Sequence, residues 1–221
     1  AGLAGEQIPL SGRIVALGQH LPTAAREIDA GGRVVTPGGV DAHCHLDQPM
    51  PPPARMADDF DTGTRSAACG GTTTVIPFAA QVKGHSLRAA VDDYRRRADG
   101  KAHVDYAFHL IVSDATPAVL NDELPALIAE GYTSFKIYMT YDDLKLDDGE
   151  ILDVLAVARQ HGAMAMIHAE NADCIEWLTK KLEAAGRTAP RFHAHARPML
   201  VEREATHRAI ALAELVDVPI L

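Results

Sequence analysis

The chain has 221 residues, enough for one substantial core and within the range in which an α/β barrel forms a single domain. Hydrophobic residues make up 47% and charged residues 23%, a balance that excludes disorder, and the net charge of −9 argues against a nucleic-acid-binding face. No window approaches the ~18 to 20 consecutive apolar residues of a membrane span, and no basic-then-apolar signal opens the chain, so no membrane contact and a cytoplasmic location are expected.

Residues 1–33 read as part of a small β module, with a short strand over Ser11–Gly18 and a turn at Gly31-Gly32. From 34 to 221 the pattern becomes strand, helix, strand, helix. Val34–Asp47 is an apolar approach with a Gly-Gly break, ending in His43-Cys44-His45. A helix is predicted over Asp58–Cys69 with Gly70-Gly71 as its stop, then a β-branched strand over Thr72–Ala79. Ser86 caps a helix through Ala98, and Val104–Val112 is the next strand. Within that helix Arg95-Arg96-Arg97, beside Asp92 and Asp93, reads as a solvated face.

Thr116 or Asn121 opens a helix ending near Gly131, and Ser134–Met139 is a strand. Asp147 with Glu150 forms a capping box for a helix to His161, closed by Gly162 before the strand Met164–Ala169. Helices over Ala172–Ala185 and Val201–Val216 follow, and Pro219-Ile220-Leu221 starts another strand. Strands therefore recur about every 30 residues, one βα unit each, which argues for a parallel sheet covered on both faces. The expected fold is α/β, an eight-fold (β/α) barrel that is incomplete in this chain; a doubly wound sheet is the second choice. Cys44, Cys69 and Cys174 are odd in number and widely spaced, so they are expected to be reduced and buried rather than disulfide-bonded.

In a (β/α) barrel the reactive groups sit at the C-terminal ends of the strands. Alternation puts His43 and His45 on one face of the first strand and Cys44 on the other. Buried imidazoles need partners for a donor and an acceptor each, which a metal ion can satisfy, although His-x-His alone is compatible with two loop histidines. Lys136 stands in the apolar run Ser134–Tyr141, on one face with Tyr138 and Thr140. Alone it is compatible with a buried ion pair or a snorkelling side chain. His168 ends the following strand at the same rim, where a lone histidine is compatible with a core role. Three such positions on separated strands are harder to explain one by one. His193-x-His195 lies in a Pro-containing loop and reads as no ligand. His109 reads as a core histidine, and His20, His85 and His161 have no matching context.

The run Asp41-Ala-His43-Cys-His45-Leu-Asp47 is followed by Ser134-Phe-Lys136-Ile-Tyr-Met-Thr-Tyr141 and Ile167-His168-Ala-Glu-Asn171. Then come His195-Ala-Arg197-Pro198, Glu202-x-Glu204-Ala205 and Arg208-Ala-Ile. In order and spacing these motifs resemble the cyclic amidohydrolases, most closely the dihydropyrimidinase and hydantoinase branch. The resemblance runs from about Ser11 to the last residue.

It implies a hydrolase that opens the cyclic amide of dihydropyrimidines or 5-substituted hydantoins to N-carbamoyl amino acids. Its site would hold two divalent metal ions, usually zinc, with Lys136 carboxylated by CO2 to N6-carboxylysine as the bridging ligand. His43 and His45 would bind one ion and His168 the other, and a hydroxide shared by both would attack the ring carbonyl. Tyr141 would bind the substrate oxygen and stabilise the oxyanion, while Tyr138 and Met50 would line the pocket for the ring substituent. Relatives are commonly homotetramers. In the family a further metal-binding His and a proton-shuttling Asp come from the sixth and eighth strands, beyond Leu221, so the 221-residue piece alone is expected to be inactive. Dihydroorotase and allantoinase are the enzymatic alternatives. The first is disfavoured because Asp47 stands where it carries a substrate-gripping Arg. Non-catalytic scaffolds of this fold have lost their metal ligands, whereas His43, His45, Lys136 and His168 are all present here.

Overall fold

The computed structural model describes residues 14–221, and the chain divides between Gly38 and Gly39 into two compact units. In the first unit the described residues, 14–38, form no helix or strand. The strand expected over Ser11–Gly18 is therefore missing from 14–18, while its first three residues lie outside the described ones. Ile14, Val15 and Leu17 are exposed, and an apolar run that pairs with none of the described residues is not stable as a strand. The turn at Gly31-Gly32 does form, with positive φ at both residues.

The second unit is built from strand and helix in alternation. Its elements are β1 (Gly39–Cys44), α1 (Phe60–Cys69), β2 (Thr72–Ala80), α2 (Leu87–Ala98), β3 (Asp105–Tyr106) and β4 (His109–Ile111). They continue with α3 (Leu124–Ala129), β5 (Ser134–Tyr138), α4 (Asp148–His161), β6 (Met164–His168), α5 (Ala172–Ala184), α6 (His193–Ala196) and α7 (Met199–Val216). All strand pairs are parallel, in the spatial order β1, β2, β4, β5, β6, with β3 as a side pairing on β2. Beyond β6, Ile220 bridges to Ala165, so the expected last strand takes the next place. Spatial order follows chain order without a reversal. That is the winding of a barrel; a doubly wound sheet would switch direction.

Three elements depart from expectation. β1 starts at Gly39, because Val34 and Val35 belong to the first unit and stand exposed. The strand predicted over Val104–Val112 is broken at Ala107-Phe108, where Phe108 turns into an aromatic cluster with Phe60, Tyr94 and Tyr106. The helix opened by Thr116, whose Oγ1 accepts from the Val119 amide, runs through a wide π turn at Val119–Glu123 before α3. Pro125 lies just past that turn and has no N–H to give an ordinary α-helical bond.

Helix starts follow local chemistry. Asp59 with Thr62 and Asp147 with Glu150 form reciprocal capping boxes, and Ser86 and Asn171 accept from the amides of Ala89 and Cys174. Gly162, left-handed at φ 69°, ends α4. The three consecutive arginines of α2 are paired rather than simply solvated. Arg95 donates to the Tyr132 hydroxyl at 2.7 Å, Arg96 pairs with Asp93 at 3.0 Å, and Arg97 joins Asp93 at 2.6 Å to the Asp47 carbonyl at 3.2 Å.

Strand alternation sorts the core into two layers. Val75, Ala79, Leu110, Val112, Phe135, Ile137 and Ala165 pack outward against Phe60, Leu87, Val91, Leu127, Leu155, Ala205 and Ala209 of the helices. On the opposite face Phe78, Ile111, Tyr138 and Met166 form a separate small cluster, the floor of the barrel interior. At the rim, buried Gln81 ties β2 to the chain after β4. Its Oε1 accepts from the Ser113 and Asp114 amides at 3.0 and 3.1 Å, and its Nε2 donates to the His85 carbonyl at 3.0 Å.

The cysteines are free, but only Cys44 is even partly buried; Cys69 and Cys174 are exposed, against expectation. Both sit on helix faces turned to solvent, whereas the strand alternation turns Cys44 against the outer core layer. Burial, then Asp41, pushes the Cys44 thiol up to about 11. In folded protein near neutral pH, an alkylating reagent should modify Cys69 and Cys174 well before Cys44, as read by peptide mass spectrometry. Phe78→Ala should cost about 3–5 kcal/mol of stability in urea unfolding, since it empties the centre of the inner layer.

Candidate metal and substrate site

The inner face of the sheet carries the chemistry because alternation leaves only a few polar side chains there. His43 and His45, at the C-terminal end of β1, lie with ring centroids 5.7 Å apart, and both rest on Phe78 of β2, at 4.8 and 5.1 Å. Lys136 Nζ, from β5, is 5.7 Å from the centroid of the same Phe78 ring and 5.7 Å from that of Tyr138. Tyr138 in turn stacks on His168, the last residue of β6, with centroids 5.4 Å apart. Lys136 therefore stands between the β1 imidazoles and the β6 imidazole, with one aromatic ring toward each.

Among the described residues Lys136 makes no hydrogen bond or ion pair, and burial holds its pKa below the ordinary lysine value. The two rings do not replace hydration: cation–π attraction is about 0.5–2 kcal/mol and weakens toward the ~6 Å limit at which they sit. His43 is also held below the usual imidazole pKa, first by burial and then by the charges of Lys136 and His45. The His45 ring is fixed from its other side, with Nδ1 2.6 Å from Gln48 Oε1. A carbonyl oxygen only accepts, so Nδ1 carries the proton and Nε2 keeps its lone pair.

A cleft of about 470 Å³ is lined by Lys136, Tyr141, His168, Glu170, His193 and Arg197, among others. Tyr141 enters it from the loop after β5 in a left-handed backbone conformation, φ 68°, which is costly for a bulky residue and persists only where surroundings impose it. Four contacts impose it here. The Tyr141 carbonyl accepts from the amides of Leu144 and Lys145 at 2.9 and 2.7 Å, and its ring packs on His168 at 5.3 Å. The Arg197 guanidinium lies over the same ring at 5.5 Å. Lys83 closes this loop by donating to the carbonyls of Asp142 and Lys145 at 3.0 and 3.1 Å.

His168 Nε2 is 2.9 Å from Glu170 Oε2, and Arg197 Nη1 donates to that same oxygen at 2.5 Å. Burial alone would raise the Glu170 carboxyl; the hydrogen bonds from His168 and Arg197 outweigh it and hold it below the usual carboxylate range.

The structure thus brings together His43, His45, Lys136, Tyr138, Tyr141 and His168, and does not bring Met50 to them. Met50 lines a different cleft of about 650 Å³ with Asp47, Arg55, Asp58 and Arg97. The cause is the bend at Asp47, whose φ is 48° and whose amide donates to the Asp58 carbonyl at 3.0 Å, turning the following prolines away. His109 is a satisfied core histidine, with Nδ1 2.6 Å from Ser134 Oγ and Nε2 2.9 Å from the Ala42 carbonyl. His193 and His195 lie on the short helix α6 rather than in a loop, and His193 reaches the cleft rim. Phe78, Gln48, Glu170 and Arg197 escaped the reading of the sequence as site residues. Strand alternation could have found Phe78, Glu170 lies only two residues past His168, and Arg197 stands in the motif His195-Ala-Arg197-Pro198, though nothing in that motif ties it to the cleft.

The profile of the amidohydrolase family matches residues 34–201. A D-hydantoinase of Rhizobium radiobacter is 46% identical over 210 residues, covering 95% of this chain and 46% of that protein. Among solved structures, a D-hydantoinase superposes with a TM-score of 0.91 at 45% identity, covering 98% of this chain and 47% of the other. A dihydropyrimidinase from Brevibacillus agri NCHU1002 gives 0.88 at 43% identity, over 99% and 46%. The chain spans about half the length of the relatives it matches. With its half-barrel, its rim histidines and these matches, the chain belongs to the amidohydrolase family, on the branch of the hydantoinases and dihydropyrimidinases.

Proposed function

We propose that the protein is a cyclic amidohydrolase that opens a dihydropyrimidine or 5-substituted hydantoin ring to an N-carbamoyl amino acid. The observation that carries this reading is Lys136, an amine without a partner among the described residues, set between imidazoles from two strands. Addition of CO2 to an amine consumes the uncharged form and releases a proton, and the apolar setting between Phe78 and Tyr138 favours that form. The product is a carboxylate in place of a poorly solvated cation.

Among the described residues no three His, Cys, Asp or Glu side chains converge closely enough to hold an ion by themselves. A carboxylated Lys136 would add the missing oxygens, so the donor set fits divalent cations, zinc being the first choice for imidazole and carboxylate together. His43 and His45 would hold one and His168 the other, with Lys136 shared. Bound there, the ions would supply Lewis-acid polarisation and water made acidic at neutral pH. The chain's own groups do the rest. The Tyr141 hydroxyl would donate to the ring carbonyl oxygen as negative charge develops on it, from a backbone already held in place. Tyr138 would wall the pocket for the ring substituent. A cytoplasmic location and a homotetrameric assembly belong to the same proposal, the first in keeping with three free thiols and the second with the family resemblance alone.

In the protein as encoded, Lys136→Ala should bring bound metal below one equivalent and abolish hydantoin turnover, with partial recovery on adding a short carboxylic acid such as propionate. Unchanged metal content in that variant would remove the carbamate from the reading. Tyr141→Phe should keep its metal and lose about 10²–10³-fold in kcat, measured with saturating 5-substituted hydantoin.

A further inference from the structure

His168 is held by more than its strand. A carboxylate only accepts hydrogen bonds, so Glu170 at 2.9 Å requires the proton on Nε2 and leaves the Nδ1 lone pair as the one nitrogen His168 can offer a cation. Glu170 is itself fixed, because its Oε2 also receives Arg197 Nη1 at 2.5 Å, and its side chain is 17% exposed. Arg197 reaches back 27 residues from the segment that leads into α7. That segment has no freedom to drift. Pro198 starts α7, whose Val201, Ala205, Ala209 and Ala213 are buried. The Asn171 amide donates to the Val201 carbonyl at 3.2 Å, and Asn171 Nδ2 donates to Glu204 Oε2 at 2.5 Å. The same guanidinium covers the Tyr141 ring, so one side chain braces both the carboxylate behind His168 and the strained tyrosine in front of it.

We infer that Glu170 is a positioning residue that selects the ring nitrogen His168 presents to the site, and that Arg197 locks it while seating Tyr141. A plain ion pair would add little at a partly exposed rim and would need neither the imidazole nor the tyrosine at its edges. The inference rests on the proposed role of His168 as a metal ligand. Carboxylates behind metal-bound histidines typically contribute about 10–100-fold in metal affinity.

The test uses the protein as encoded, stripped of metal and titrated with Co²⁺ against a chromophoric chelator, with the visible Co²⁺ spectrum recorded. Glu170→Gln should weaken one of the two ions about 10–100-fold and change its d–d bands, and Glu170→Asp should recover part of the loss. Arg197→Met should move affinity in the same direction by less. If Glu170→Gln does not fold, Arg197→Met and Glu170→Asp carry the test, because either must weaken the same ion. His168→Ala separates the two ideas. Loss of one equivalent in His168→Ala together with wild-type affinity and spectrum in the Glu170 and Arg197 variants would overturn the positioning role and leave the metal reading intact. Two tightly held ions in His168→Ala would overturn the metal reading itself.

Discussion

The alternation of side chains along parallel strands is the constraint on which the site depends. Each strand turns one set of residues to the helices and the other to the interior, so a register that buries Phe135 and Ile137 outward must turn Lys136 and Tyr138 inward. The pairing of β5 with β6, Lys136 opposite Met166 and Tyr138 opposite His168, then sets the tyrosine beside the imidazole. The pairing of β1 with β2, Cys44 opposite Pro77, brings the Phe78 ring under the β1 histidines. A shift of one residue in any strand would send its chemistry into the helical layer, so the outer core's apolar packing is what keeps the polar inner face in register.

Rim contacts convert that register into fixed side chains. Gln81 satisfies two amides beyond β4 and two carbonyls with one buried amide group, and Lys83 holds the Tyr141 loop through two carbonyls. Neither touches the cleft. Their effect is to deny the loops after β2, β4 and β5 the freedom that loops ordinarily have, so a tyrosine at positive φ can be kept where an unsupported loop would relax it.

The sequence made the strand ends legible where a polar residue interrupts an apolar run. His43, His45, Lys136 and His168 stand out against their neighbours because a buried imidazole or amine needs a reason, and the capping box at Asp147 marks a helix start by local bonds alone, whereas the one at Asp59 was not read. Less legible was whatever depends on distant packing. Phe108 breaks a strand only because Phe60 and Tyr94 are there to receive it. Met50 follows the β1 motif closely in sequence but is turned into another cleft by a bend at Asp47 that no residue type announces. Ser11–Gly18 illustrates the opposite failure: a short apolar run between glycines has strand character on paper, yet over 14–18 it pairs with none of the described residues.

Arg197 shows why the second kind of information is not local. Its value to the site comes from two partners 27 and 56 residues earlier in the chain, Glu170 and Tyr141, and from α7, whose small buried residues let the helix lie close enough for the arginine to reach. Alanine at 205, 209 and 213 gives that helix a narrow inner stripe, while the tie from Asn171 to Val201 and Glu204 sets where it begins. Larger side chains on the stripe would push α7 outward and draw the guanidinium off both Glu170 and the tyrosine ring. Packing at the outer layer and orientation of an imidazole at the inner rim are therefore two ends of one mechanical connection. Glu170 and Arg197 sit at the ends of the loops that α7 fixes, away from the strand ends themselves.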